Sequence, residues 1–161
     1  MHMVPNAFFA DLVLAATVIV LMYAAWTDLR HYKIRNEAIA LLIVLFVLHR
    51  MFLNRWTDSA WNLGLAATIF VVLLCFYSRQ WMGGGDVKML AVALLWTGVE
   101  CAPAFAVLLL LFVSLHAGAA RLGWAASQTL GDDRRPRIAF APSIAAALIP
   151  IVAFGCVRPP I

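Results

Sequence analysis

Charge is what this chain has least of. Only 12% of its 161 residues are Asp, Glu, Lys or Arg, while 65% are hydrophobic. A soluble domain is nearer a quarter charged and half apolar. No soluble fold of this length hides so much apolar surface, so a water-soluble globular enzyme is excluded. Cysteine is scarce and badly spaced for chemistry. Cys75, Cys101 and Cys156 form no CxxC pair, so neither a zinc site nor a disulfide framework is supported. The three thiols read as small apolar fillers in or near helices, although Cys101 and Cys156 fall where a disulfide between them stays open. No metal and no cofactor are expected. Lys and Arg are absent before the first apolar run, and that run is longer than a signal core, so Tyr23-Ala24-Ala25 reads as part of a retained helix rather than a cleavage site. Tandem repeats, low-complexity tracts and a soluble domain on either side are lacking as well. A single transmembrane domain over residues 1–161 is expected.

What the chain does have is apolar runs of about 17–20 residues, enough to cross a bilayer core as helix. They predict an all-α, polytopic membrane protein with six transmembrane helices, at about Phe8–Trp26, Glu37–Leu53, Ala60–Tyr77, Asp86–Trp96, Ala104–Leu122 and Ile138–Val157. Glu100 and Pro103 mark a tight turn between the fourth and fifth. The net charge of +4 is then a topology signal and not a nucleic-acid footprint. Six crossings put Arg30, Lys33, Arg35, Arg79, Lys88, Arg121, Arg134, Arg135 and Arg137 on one face, and only Arg50, Arg55 and Arg158 on the other. The first face is expected to be cytoplasmic and both termini periplasmic. The tryptophans Trp26, Trp56, Trp61, Trp81, Trp96 and Trp124 read mostly as interface belts, and His31 and His49 as uninformative edge residues.

The most informative stretch is Met82-Gly83-Gly84-Gly85-Asp86-Val87-Lys88, three glycines and a carboxylate opening an apolar segment. Asp28, at the end of the first apolar run, is predicted on the same side by a topology that rests on Lys and Arg alone. Each has a plain reading. Asp86 is a natural helix N-cap stabilised by the helix dipole. Asp28 is an interfacial acid, solvated and paired with Arg30 or Lys33. Against these, the fourth helix is short, 11 residues from Asp86 to Trp96, or about 16 Å for a core about 30 Å thick. A carboxylate at such depth is by default a functional candidate. Gly83, Gly84 and Gly85 leave backbone uncovered against which an extended peptide can lie. Two carboxylates brought close share one proton. One activates water and the other hydrogen-bonds the scissile carbonyl, with no covalent intermediate. The pair titrates as a unit, so base and acid are not assigned to either.

These residues resemble the bacterial type IV prepilin peptidases and their archaeal preflagellin-peptidase relatives, GxGD intramembrane aspartyl proteases. The match lies in Asp28-Leu29-Arg30 followed by Ile34 and Asn36, and in Gly83-Gly84-Gly85-Asp86-Val87-Lys88. A weaker match is Ala139-Phe140-Ala141-Pro142-Ser143. The chain departs from the family pattern at Arg35 and Ala139, where proline is usual; the first departure is expected to loosen its loop. The resemblance implies cleavage of a short basic leader from prepilins and pseudopilins at the cytoplasmic face of a bacterial inner membrane, with Asp28 and Asp86 as the catalytic pair. The chain resembles the short form found with Flp/Tad pilus systems, without the N-terminal domain that accompanies N-methylation. Pilus assembly machinery and membrane lipid are the further partners implied.

Around the pair, Asn36 reads as a helix N-cap or a substrate contact, and Lys88 as a snorkelling lysine or a group that orients substrate. His116 reads as polar glue between helices. Asp132 and Asp133 read as a solvated charge cluster. Lys33 and Arg35 repel a basic leader and suit anionic lipid better. A signal-peptide-peptidase-like enzyme is disfavoured because Thr27, not tyrosine, precedes Asp28. Two readings from other classes remain: a small ion- or proton-coupled transporter, disfavoured by acids at one edge instead of the midplane, and a non-enzymatic subunit of a pilus or secretion assembly.

Overall fold

In a computed structural model of the chain, residues 5–31, 33–53, 56–122 and 140–153 are described, and all regular structure among them is helical. Five helices follow in order: α1 Pro5–His31, α2 Asn36–Leu53, α3 Trp56–Ser78, α4 Gly84–Arg121 and α5 Ala141–Ala153. Four of them, over Phe8–His31, Asn36–Leu53, Ser59–Ser78 and Gly84–Arg121, are long and apolar enough to cross a membrane, and α5 is shorter. Their outer faces are as apolar as their inner ones. Val71, Val107 and Leu110 are each more than 60% exposed, a pattern that suits lipid and not water. The segment 125–137 with Asp132 and Asp133, and Trp124, Ala139, Cys156 and Arg158, lie outside the described residues.

The segments expected as separate fourth and fifth helices are two helical limbs of α4 that meet across a kink at one non-helical residue, Gly98, at φ 65° and ψ −175°. Glu100 and Pro103, expected in a turn, are helical. A straight helix of 38 residues spans about 57 Å. Yet both ends of α4 come into the neighbourhood of Asp28. Asp86, in the first turn, is within electrostatic reach of Asp28. His116, near the other end, stands 3.4 Å from Ser143, two residues from the Ala141 amide that donates to Asp28. The chain therefore doubles back at Gly98, between an early limb (84–97) and a late limb (99–121). Only glycine takes this backbone conformation freely. A Cβ added there would also stand 2.5 Å from Oδ1 of Asn62 on α3.

The core joins α1, α2, both limbs of α4, and α5 through residues such as Leu21, Leu42, Ala93, Phe105, Ile144 and Leu148. At its centre is Trp96, fully buried and not in an interface belt. Its indole N–H donates to the Leu42 carbonyl at 3.1 Å, which satisfies the one polar group a buried tryptophan carries. The ring meets Phe46 edge-on at 5.6 Å and His49 at 5.5 Å, so His49 is a core residue. Trp26, Trp61 and Trp81 are exposed, as belt residues are. Two of the three cysteines are not the apolar fillers expected: Cys75 is an exposed free thiol, and Cys101 is disulfide-bonded.

Candidate active site

The glycine stretch is positioned by the end of α3. Gln80 takes a positive φ of 56°. Its N–H bonds the Tyr77 carbonyl at 2.9 Å, and the Trp81 N–H bonds the Phe76 carbonyl at 3.0 Å. This is the Schellman pattern of a helix terminus, with its usual apolar contact supplied by Phe76 and Trp81, 5.8 Å apart. The chain then has two residues in which to turn before Gly83, the extended N-cap of α4 (φ −70°, ψ 143°).

The helix begins at Gly84, two residues earlier than expected, so Asp86 is its third residue and not its cap. Its carboxylate folds back onto the Gly83 backbone N–H, the reciprocal half of a capping box. A Cβ on Gly83 would stand 2.9 Å from Asp86 Oδ2. The space above Gly84 is taken by the Tyr77 ring, 3.2 Å from a notional Cβ, and that above Gly85 by Ile34 at 3.1 Å. Of the three glycines expected to line an extended substrate, only Gly83 is extended; Gly84 and Gly85 are helical and let neighbours pack closely.

Asp28 differs from expectation more. The first helix runs on to His31, so Asp28 lies in its last turn, where the dipole of α1 disfavours a carboxylate. It is also only 4% exposed, which sets aside a solvated interfacial acid. Arg30, one of its two expected partners, lies over the Trp26 ring at 4.3 Å. The carboxylate is held by another helix: Oδ2 accepts the Ala141 N–H at 3.0 Å, and the Phe140 backbone also donates. The N-terminus of α5 thus supplies positive dipole and free amides to an acid misplaced on its own helix.

Two contacts link the segments next to the two aspartates. Ile34, from the α1–α2 connection, packs on Gly85, and Lys88 donates to Asn36 Oδ1 at 3.1 Å. Lys88 and Asn36, each weighed as a substrate contact, bond each other and tie the start of α2 to the start of α4. Arg35, where a proline was expected, is not loose: it donates to Glu37 and to the Tyr23 hydroxyl, both at 3.2 Å. Asp28 is nearly buried and Asp86 half-buried, with their charges in reach of one another. Such a pair can share a proton, activate water and polarise a carbonyl.

Residue reasoning missed the Phe140–Ala141 backbone and Ser143. It named His116 only as glue, whereas the ring stands beside Ser143 and within electrostatic reach of Asp28. The one available signal was Phe140-Ala141-Pro142-Ser143, a proline at the second position of a helix.

The model of the type IV leader peptidase family matches residues 15–151. Neither a search of curated proteins nor one of solved structures gave a match.

Proposed function

The chain belongs to the type IV leader peptidase family, and from that premise we propose that it is a membrane aspartic endopeptidase that removes the basic leader of prepilin-like proteins, with Asp28 and Asp86 as its catalytic pair. The observation that carries this reading is that two carboxylates from α1 and α4, 58 residues apart in sequence, lie within electrostatic reach of one another. With one proton between them, the ionised carboxylate takes a proton from water. The protonated one donates to the scissile carbonyl. The tetrahedral diol then expels the amine as the proton returns.

The substrate enters at the depth where the pair lies. The early limb of α4 has 14 residues, about 21 Å of helix, against an apolar core about 30 Å thick. A prepilin held by its own apolar helix presents its leader junction at that boundary. Counting the limbs of α4 separately, the chain crosses six times, and among the described residues Arg30, Lys33, Arg35, Arg79, Lys88 and Arg121 fall toward the aspartate end, which supports a cytoplasmic placement of that end. The disulfide at Cys101, close to the Gly98 reversal at the other end, supports the same orientation, because disulfides persist on the oxidising side of such a membrane.

The test is a processing assay in which the protein is co-expressed with a prepilin carrying a basic leader. Wild type is expected to shorten the precursor. Asp28→Asn and Asp86→Asn, present in the membrane at wild-type levels, are expected to leave it full length. Cleavage by both variants would sink the assignment.

A further inference from the structure

His116 lies 18 residues past the break at Gly98, about 27 Å along the late limb of α4, which returns it to the aspartate end. It is half-buried. Its Nδ1 stands 3.4 Å from Ser143 Oγ, and its ring is in electrostatic reach of Asp28. Ser143 belongs to the turn that holds Asp28. Its N–H and that of Ile144 both bond the Phe140 carbonyl, at 3.1 and 3.2 Å, and so close the first turn of α5. Ala141 is the first residue of α5, so its N–H has no acceptor within the helix. It donates to Asp28 instead, and a small tilt of this turn moves that donor directly. A polar pair serving only to join helices has no reason to sit on this particular turn.

We propose that His116, acting through Ser143, is a positioning residue for Asp28: it fixes the first turn of α5 against the late limb of α4 and so keeps the Ala141 N–H on the carboxylate. This rests on the reading of Asp28 as catalytic, and it adds a third side chain to the site, one that touches neither substrate nor reacting atoms.

The test has two arms on the full-length protein. The first measures cleavage kinetics on a prepilin substrate. His116→Leu and Ser143→Ala are each expected to lower kcat about tenfold with KM within about twofold, the pattern of a misaligned reacting group and not of lost binding. The double variant is expected to be no slower than the slower single one, since both break one link. His116→Asn, which keeps a hydrogen-bonding group near the Nδ1 position, is expected to regain most of kcat. The second arm follows amide hydrogen exchange at Ala141 in detergent. It should speed up about tenfold in His116→Leu and Ser143→Ala, but not in His116→Asn. Wild-type kcat and wild-type exchange in His116→Leu would overturn the proposal. So would equal damage from His116→Asn and His116→Leu. A wild-type protein that cleaves no prepilin would instead remove the peptidase reading, while the exchange arm still decides whether His116 fixes the turn.

Discussion

Asp86 is the third residue of its helix, and what holds its carboxylate is three residues upstream, at Gly83. Asp28 is in the last turn of its helix, and what holds it is 113 residues downstream, at Ala141. The local arrangement is a capping geometry that any short peptide of this sequence can sample. The distant one exists only when α1 and α5 are packed. A membrane protein can thus place an acid at the wrong end of one helix if it brings the right end of another to meet it. The exposure differs accordingly: Asp28 is almost fully covered, while Asp86 keeps contact with its surroundings.

Three substitutions break or sharpen this contrast. Gly98→Ala has the largest expected effect. It forces a side chain into a glycine-only conformation and against Asn62, at about 3 kcal/mol or more. It should lower the unfolding midpoint in detergent and disturb the tertiary hold on Asp28 while the Gly83–Asp86 contact survives. An unchanged midpoint would mean that the reversal is not anchored at this glycine. Ala141→Pro comes next. Proline suits a first helical position, but it removes the donor to Asp28. A hydrogen bond to a charged group is worth about 1.5–3 kcal/mol, so cleavage should fall about 10–100-fold. Ala141→Val adds bulk but keeps the N–H and serves as control; equal losses in both would attribute the effect to crowding. Gly83→Ala is the smallest. Its backbone angles suit alanine, and the only conflict is with the movable end of Asp86. Loss of one capping contact, about 1 kcal/mol, predicts cleavage down about fivefold with only a small fall in the unfolding midpoint. A large drop in the midpoint would show that the local hold is structural after all.

Much of the chain was legible beforehand. The apolar runs announce membrane helices because 20 residues without charge have no other stable home. The glycines, Asp86 and Asp28 stand out because polar and flexible residues are rare here. Trp96 was misread because an interfacial and a buried tryptophan have the same neighbours in sequence; only the Leu42 carbonyl, 54 residues away, tells them apart. Lys88 and Asn36 were each seen alone, because 52 residues separate two groups that bond each other. Gly98 reads in the sequence as the end of a helix, which it is; the turn is expected further on, at Glu100 and Pro103, because proline and an acid are the only local signals there, and both are helical.

By itself the sequence determined that this is a helical membrane protein with one aspartate opening a helix behind three glycines and another, Asp28, closing the first apolar run. Those are consequences of composition and of local backbone freedom, which act within a few residues. Tertiary structure alone decided that Asp28 is buried, that the amides of α5 receive it, that His116 returns to the same end, and that Gly84 and Gly85 are filled by Tyr77 and Ile34. Each of these depends on which helices pack together. In a chain whose helices are apolar on every face, no periodic stripe marks the side that meets a partner; close packing and a few polar contacts choose it.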